Sequence, residues 1–116
     1  MFTNITIEIM LKIKPSDIVE LIGTFFLTAV VIGSGIMAEN LSQGNDAVAL
    51  LGNTISTGAI LFVLIKSFSS ISGAHFNPVV SFIFFIKKEL TLPTFLKYIT
   101  FQFLGAFLSV IVVHYY

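Results

Sequence analysis

The residues best equipped for chemistry gather at 72–78, in the run Ser-Gly-Ala-His-Phe-Asn-Pro. Asn77-Pro78 reads as a helix start: Asn is a strong N-cap, and Pro at the first helical position has a fixed φ and lacks only a donor that is not needed there. The apolar run after it, Val-Val-Ser-Phe-Ile-Phe-Phe-Ile, stops at Lys87 and Lys88. As a helix, Pro78 to Ile86 is about 14 Å long, half the depth of a bilayer's hydrocarbon. A helix that starts in mid-membrane aims its unpaired N–H groups and positive end at the bilayer centre. The non-helical loop before it leaves carbonyls that can line an aqueous path. That chemistry is recognition of neutral polar solutes with cations disfavoured, and it breaks no bonds.

Two further polar residues stand in apolar surroundings, Glu20 and Gln102. A carboxylate inside a spanning helix costs on the order of 3 kcal/mol, so Glu20 needs a partner or water, unless it reaches the interface from a place near its helix end. Other chemistries fit poorly. Gly33-Ser34-Gly35 with His75 suggests an intramembrane serine protease, but Ile32 stands where the Gly-x-Ser-Gly signature of such an enzyme needs Gly, and Ser34 falls near the far end of its helix from His75. Without cysteine, and with only two histidines, no metal constellation forms, and no cofactor is expected. All six basic residues are Lys, balanced by six acidic ones, so no basic patch invites nucleic acid. The chain is expected not to be an enzyme.

The elements that position these residues are set by hydropathy. With 56% hydrophobic residues, 10% charged and thirteen Phe, the composition lies far from the soluble average. The pattern predicts an all-α membrane protein with three transmembrane helices and one re-entrant half-helix. Residues 1–17 form an amino-terminal surface segment in which Ser16 and Asp17 can cap the first helix. Helices are expected at 18–38, 47–65 and 92–113, with the re-entrant loop and half-helix at 67–86 and Lys97 snorkelling outward. At about 100° per residue, Glu20, Gly23, Thr24, Thr28, Ser34, Gly35 and Ala38 share one side of the first helix. Asn53, Ser56 and Thr57 do so on the second, and Gln102, Gly105, Ala106 and Ser109 on the third. Small residues on such faces let helices pack closely.

In this setting Ser72-Gly73-Ala74-His75-Phe76-Asn77-Pro78-Val79-Val80 resembles the first Asn-Pro-Ala loop of the aquaporin (major intrinsic protein) family. Glu20-Leu-Ile-Gly23-Thr24-Phe25-Phe26 resembles that family's first helix, and Gln102 to Ala106 (QFLGA) its third. The resemblance implies a channel component for passive transport of water or small neutral solutes. Asn77 would donate to the solute, and the carbonyls of Gly73, Ala74, His75 and Phe76 would form an acceptor ladder leading to it. Pro78 and Val79 complete the motif, and Glu20 and Gln102 support it. The side chain of His75 would brace the loop, touch solute, or both. Thr57 takes the second helix's filter position, where water-selective members carry an aromatic residue, so it favours a wider path for glycerol-like or metalloid hydroxide solutes. Val79 stands where the motif has Ala, and its two extra methyls tighten contact between facing half-helices.

Family members carry two inverted repeats, and this sequence reads as one of them. It has neither a second Asn-Pro motif nor the Arg that comes after it. The resemblance therefore implies a partner: a complementary second-half polypeptide or an oligomer, within the lipid membrane. The alternative is a non-conducting assembly subunit or a truncated remnant. Lys12, Lys14, Lys66, Lys87, Lys88 and Lys97 all fall on the amino-terminal side of the expected membrane, and the opposite turn at 39–46 has none. By the positive-inside rule the amino terminus is cytoplasmic, in a bacterial inner membrane. Such a bias predicts one orientation, and a second repeat supplied by a different polypeptide.

Overall fold

The computed structural model describes residues 12–115, which form four helices: α1 (Pro15–Leu41), α2 (Asp46–Ser72), α3 (Pro78–Ile86) and α4 (Leu92–Tyr115). Three of them, α1, α2 and α4, are long and apolar enough to cross a membrane. At 1.5 Å per residue the two 27-residue helices are each about 40 Å long. No strand occurs among the described residues.

Helix ends differ from the expected bounds where capping outweighs hydropathy. Pro15 is the first residue of α1, and Lys14 rather than Ser16 caps it. Asp17 completes the cap by accepting from the Lys14 backbone N–H at 2.9 Å. Of the expected surface segment, residues 1–11 lie outside the described residues, and Pro15 to Asp17 are helical. The second helix does not stop at residue 65. It continues through the Ser-rich stretch to Ser72 and ends where Gly73 turns left-handed (φ 87°), its N–H donating to Ser69 O at 2.9 Å. Backbone hydrogen bonds hold those last turns in helix although Lys66 and four serines dilute their hydropathy, and Gly73 is the residue that can take the terminating conformation. The loop is thereby shortened to 73–77. The half-helix starts at Pro78 behind the Asn77 cap and ends at Ile86, as the motif predicts.

The burial pattern is that of a membrane protein. Large apolar side chains such as Phe62, Phe103 and Phe107 face outward, while Asp17, Glu20, Thr24, Ser72, Ser81, Lys97, Gln102 and Ser109 are buried. Helix α1 packs against both α2 and α4, and α3 lies on α4. The small-residue side of α1 serves two neighbours. Toward α2, Ser34 Oγ donates to Asn53 Oδ1 at 2.9 Å, and Gly52 meets Ala38. Toward α4, Gly105 lies so close to the Leu21 carbonyl that a methyl group there would collide with it, and the Phe25 nitrogen is 3.2 Å from the same point.

Lys97 does not snorkel. It is 4% exposed, its Nζ lies 3.3 Å from Asp17 Oδ2 and donates to Lys12 O at 3.2 Å. Burying an ammonium in this environment requires a carboxylate, and the first turn of α1 supplies it.

The contact at Gly105 predicts opposite signs for two glycine-to-alanine changes in spanning helices. Gly105→Ala should lower thermal stability in detergent, by about 1–3 kcal/mol for overpacking against backbone. Gly58→Ala, with open space around it, should be neutral or slightly stabilising, since Ala is the better helix former. Equal effects from the two would show that the α1–α4 contact does not set the packing.

Candidate functional site

The site is built around the Glu20 carboxylate, which is fully buried and accepts four hydrogen bonds. Its Oε2 accepts from Ser72 Oγ at 2.6 Å and from the His75 N–H at 3.2 Å. Its Oε1 accepts from the Phe76 N–H at 2.9 Å and from Gln102 Nε2 at 2.7 Å. The last residue of α2, the loop and α4 are thus tied to one side chain of α1. Snorkelling to the interface is not what Glu20 does. It receives from the protein the donors that water would otherwise give it.

These bonds hold a backbone that sterics disfavour. Gly73, Ala74 and Phe76 all have positive φ (87°, 54° and 52°), and for the two non-glycine residues that conformation costs roughly 1–2 kcal/mol each. The turn points the N–H groups of His75 and Phe76 at Glu20, while Ala74 N–H donates to Ser72 Oγ at 3.1 Å. None of the carbonyls of Gly73, Ala74, His75 and Phe76 accepts a hydrogen bond from a described residue. Tyr98 OH satisfies the Ser72 carbonyl from α4 at 2.8 Å. The Phe76 ring packs on Gly23, where any side chain on α1 would overlap it.

Asn77 is exposed, and its Oδ1 accepts from the Val79 N–H at 2.8 Å. Since the oxygen is occupied by capping α3, the amide NH2 is the part left to donate outward. Beside it lies a cavity of about 290 Å³, lined by Thr24, Thr28, Phe76, Asn77, Pro78 and Gln102 together with apolar side chains. Two of the atoms buried there, Thr24 Oγ1 and Gln102 Oε1, have no partner among the described residues. A larger concavity of about 520 Å³ lies at the far end of α1 and α4, around Gly33 and Val113. Asn40 is the one polar side chain in its lining, whereas the smaller cavity brings Thr24, Thr28, Asn77 and Gln102 together, so the smaller one carries the candidate chemistry.

Of the residues singled out from sequence, Phe76, Asn77, Pro78 and Gln102 meet at this cavity, and Glu20, Gly73, Ala74 and His75 shape the loop beside it. Val79 is 64% exposed on the first turn of α3. Thr57 is half-buried on α2 and is not among the residues lining the cavity. Sequence reasoning misses Ser81 and Tyr98. Ser81 is the lone polar residue of an otherwise apolar run, and it is completely buried, bonded to both His75 Nδ1 (2.9 Å) and Gln102 Nε2 (3.0 Å). Its place one helical turn after Asn77 is the signal that could have found it.

Three membrane-length helices around a buried polar network, with a half-helix entering from a non-helical loop, define an integral membrane protein of the re-entrant-loop class. The family model "Major intrinsic protein" matches residues 10–116, and the chain belongs to that family. It is 45% identical over 97 residues to aquaglyceroporin AqpS of Rhizobium meliloti, covering 84% of this chain and 41% of that protein. It is 34% identical over 93 residues to probable aquaporin PIP2-8 of Arabidopsis thaliana (80% and 34% covered). Against putative aquaporin NIP4-1 of the same plant it is 37% identical over 92 residues (79% and 31% covered). The chain therefore spans well under half the length of these relatives. No solved structure matches it.

Removing the carboxylate should undo the loop. Glu20→Ala leaves three donors of the loop region and one of α4 without their acceptor, which at 1–3 kcal/mol per buried unpaired group costs at least about 3 kcal/mol in total. The expected outcome is a large drop in detergent melting temperature. A melting temperature equal to wild type would show that the loop holds its shape without Glu20.

Proposed function

We propose that this chain forms one repeat of a passive membrane channel for water or small neutral solutes, and that Asn77 is its central hydrogen-bond donor. The observation that carries this reading is the division of labour within the Asn77 amide. Its oxygen is tied to the Val79 N–H, and its NH2 has no partner among the described residues where Asn77 lines the cavity. The positive end of α3 lies at the same point and disfavours cations there. The four carbonyls of 73–76, which have no partner among the described residues, are acceptors on the approach to that donor. A solute that carries both donors and acceptors, such as water, glycerol or a metalloid hydroxide, exchanges its hydration for these groups one at a time.

The aquaglyceroporin name of the rhizobial relative supports the wider solute range, as does Thr57 in place of an aromatic residue. Exposed loop backbone cannot face hydrocarbon without losing several kcal/mol per unpaired group, so the Asn77 face is covered in the working protein by an inverted second repeat. The membrane is the bacterial plasma membrane, with the amino terminus cytoplasmic. Lys12, Lys14, Lys66, Lys87 and Lys88 remain exposed on that side even when Lys97, neutralised by Asp17, is left out.

Two measurements test this. In proteoliposomes holding the assembled channel, Asn77→Asp should reduce solute flux and raise proton leak, because a carboxylate opposes the half-helix dipole. Unchanged flux and leak would remove Asn77 from the pathway, and a wild-type assembly without any flux would favour a non-conducting subunit. A reporter fused after Tyr116 should be active outside the cytoplasm, and a strong cytoplasmic signal would reverse the assigned orientation.

A further inference from the structure

The hydrogen-bond relay running from Glu20 through Gln102 and Ser81 ends on the ring of His75, and its polarity is set at the carboxylate. A carboxylate only accepts, so the Gln102 atom 2.7 Å from Glu20 Oε1 is the amide nitrogen, and the orientation of that amide is fixed. Gln102 Nε2 carries two hydrogens. One goes to Glu20 and the other to Ser81 Oγ at 3.0 Å. Ser81 Oγ is therefore an acceptor toward Gln102, and its own hydrogen must go elsewhere. Ser81 is 0% exposed, so that hydrogen cannot go to bulk water. The acceptor within reach among the described residues is His75 Nδ1, at 2.9 Å. If Nδ1 carried the proton instead, the Ser81 hydroxyl hydrogen would be buried with no acceptor, which folded proteins avoid.

We infer that Ser81 is a positioning residue that holds His75 as the neutral tautomer protonated on Nε2, so that the free edge of the imidazole is a hydrogen-bond donor. Two aromatic rings pack on the imidazole and hold its plane. Phe84 stacks on it at 4.6 Å between centroids, and Tyr98 meets it edge-on at 5.2 Å. Nε2 is the atom next to Gly73, at 3.1 Å from where a Cβ on that glycine would stand. It therefore lies against the first of the four unpartnered carbonyl-bearing residues. The edge has no hydrogen-bond partner among the described residues. A donor fixed there selects solutes by an acceptor oxygen: water, a polyol hydroxyl or a metalloid hydroxide. The tautomer itself is independent of conduction, and only the selection of solutes rests on the channel reading.

The test is nitrogen NMR of the ¹⁵N-His-labelled chain in lipid nanodiscs, with His114→Gln removing the second histidine signal. At about pH 8, above the ordinary His range near 6.5, the ring is neutral and its two nitrogens report the tautomer. The expected spectrum has Nδ1 as an unprotonated, pyridine-type nitrogen and Nε2 as a protonated, pyrrole-type one. The reverse assignment, or averaging between the two in the wild-type chain, overturns the inference without any variant being made. Ser81→Ala should convert the fixed tautomer to a mixture, and Ser81→Thr, which keeps the hydroxyl, should restore it. A spectrum unchanged by Ser81→Ala also overturns it. Fixed Nε2 protonation in a chain whose assembled form passes no solute would retain the tautomer and discard the channel reading.

Discussion

A carboxylate within an apolar helix must be solvated by something, and Glu20 is solvated by the segment it organises. Its two oxygens take a hydroxyl from the end of α2, two backbone N–H groups from the loop and an amide from α4. The exchange works in both directions. The loop's two left-handed non-glycine residues are held by bonds to the carboxylate, and the carboxylate is held in hydrocarbon by the loop. The N–H groups of His75 and Phe76 turn toward the carboxylate, the carbonyls of 73–76 have no partner among the described residues, and α3 begins directly after them. The shape of the loop that leads to Asn77 depends on that one buried charge.

The rest of the packing keeps that arrangement at a fixed depth. Gly23 gives the Phe76 ring its place, and Gly105 lets α4 approach α1 closely enough for Gln102 to reach Glu20. At the amino-terminal end, Lys97 and Asp17 clamp the same two helices a second time. Polar residues thus do inside the molecule what apolar side chains do in a soluble core, because outside there is hydrocarbon and apolar burial gives no net driving force. The cost is sensitivity: truncating either partner of such a pair leaves the other buried and unpaired.

Much of the fold is legible in the sequence because its signals are local. Spans can be read from hydropathy, and the start of α3 from Asn77-Pro78, which the structure keeps to the residue. The illegible parts depend on partners distant in sequence. Lys97 reads as a snorkelling lysine until Asp17 is seen beside it, and Ser81 reads as an interruption in an apolar run until α4 brings Gln102 to it. The end of α2 reads short, at residue 65, because serines lower hydropathy without breaking a helix, whereas the termination depends on the positive φ of Gly73. Glu20 and Gln102 are recognisable in the sequence as polar residues in apolar surroundings, but that each is the other's partner depends on α4 packing against α1 and is not legible locally.

Whether Glu20 holds the loop is addressed most directly by site-resolved amide hydrogen exchange of the wild-type chain in lipid nanodiscs. The N–H groups of His75 and Phe76 sit in a non-helical loop next to an exposed Asn77, and without an acceptor they should exchange freely. If Glu20 binds them, both should be protected to about the level of neighbouring α1 amides, while the N–H of exposed Thr91, which has no acceptor among the described residues, exchanges faster. Rapid exchange at His75 and Phe76 in the folded wild-type chain would contradict a loop held by that carboxylate.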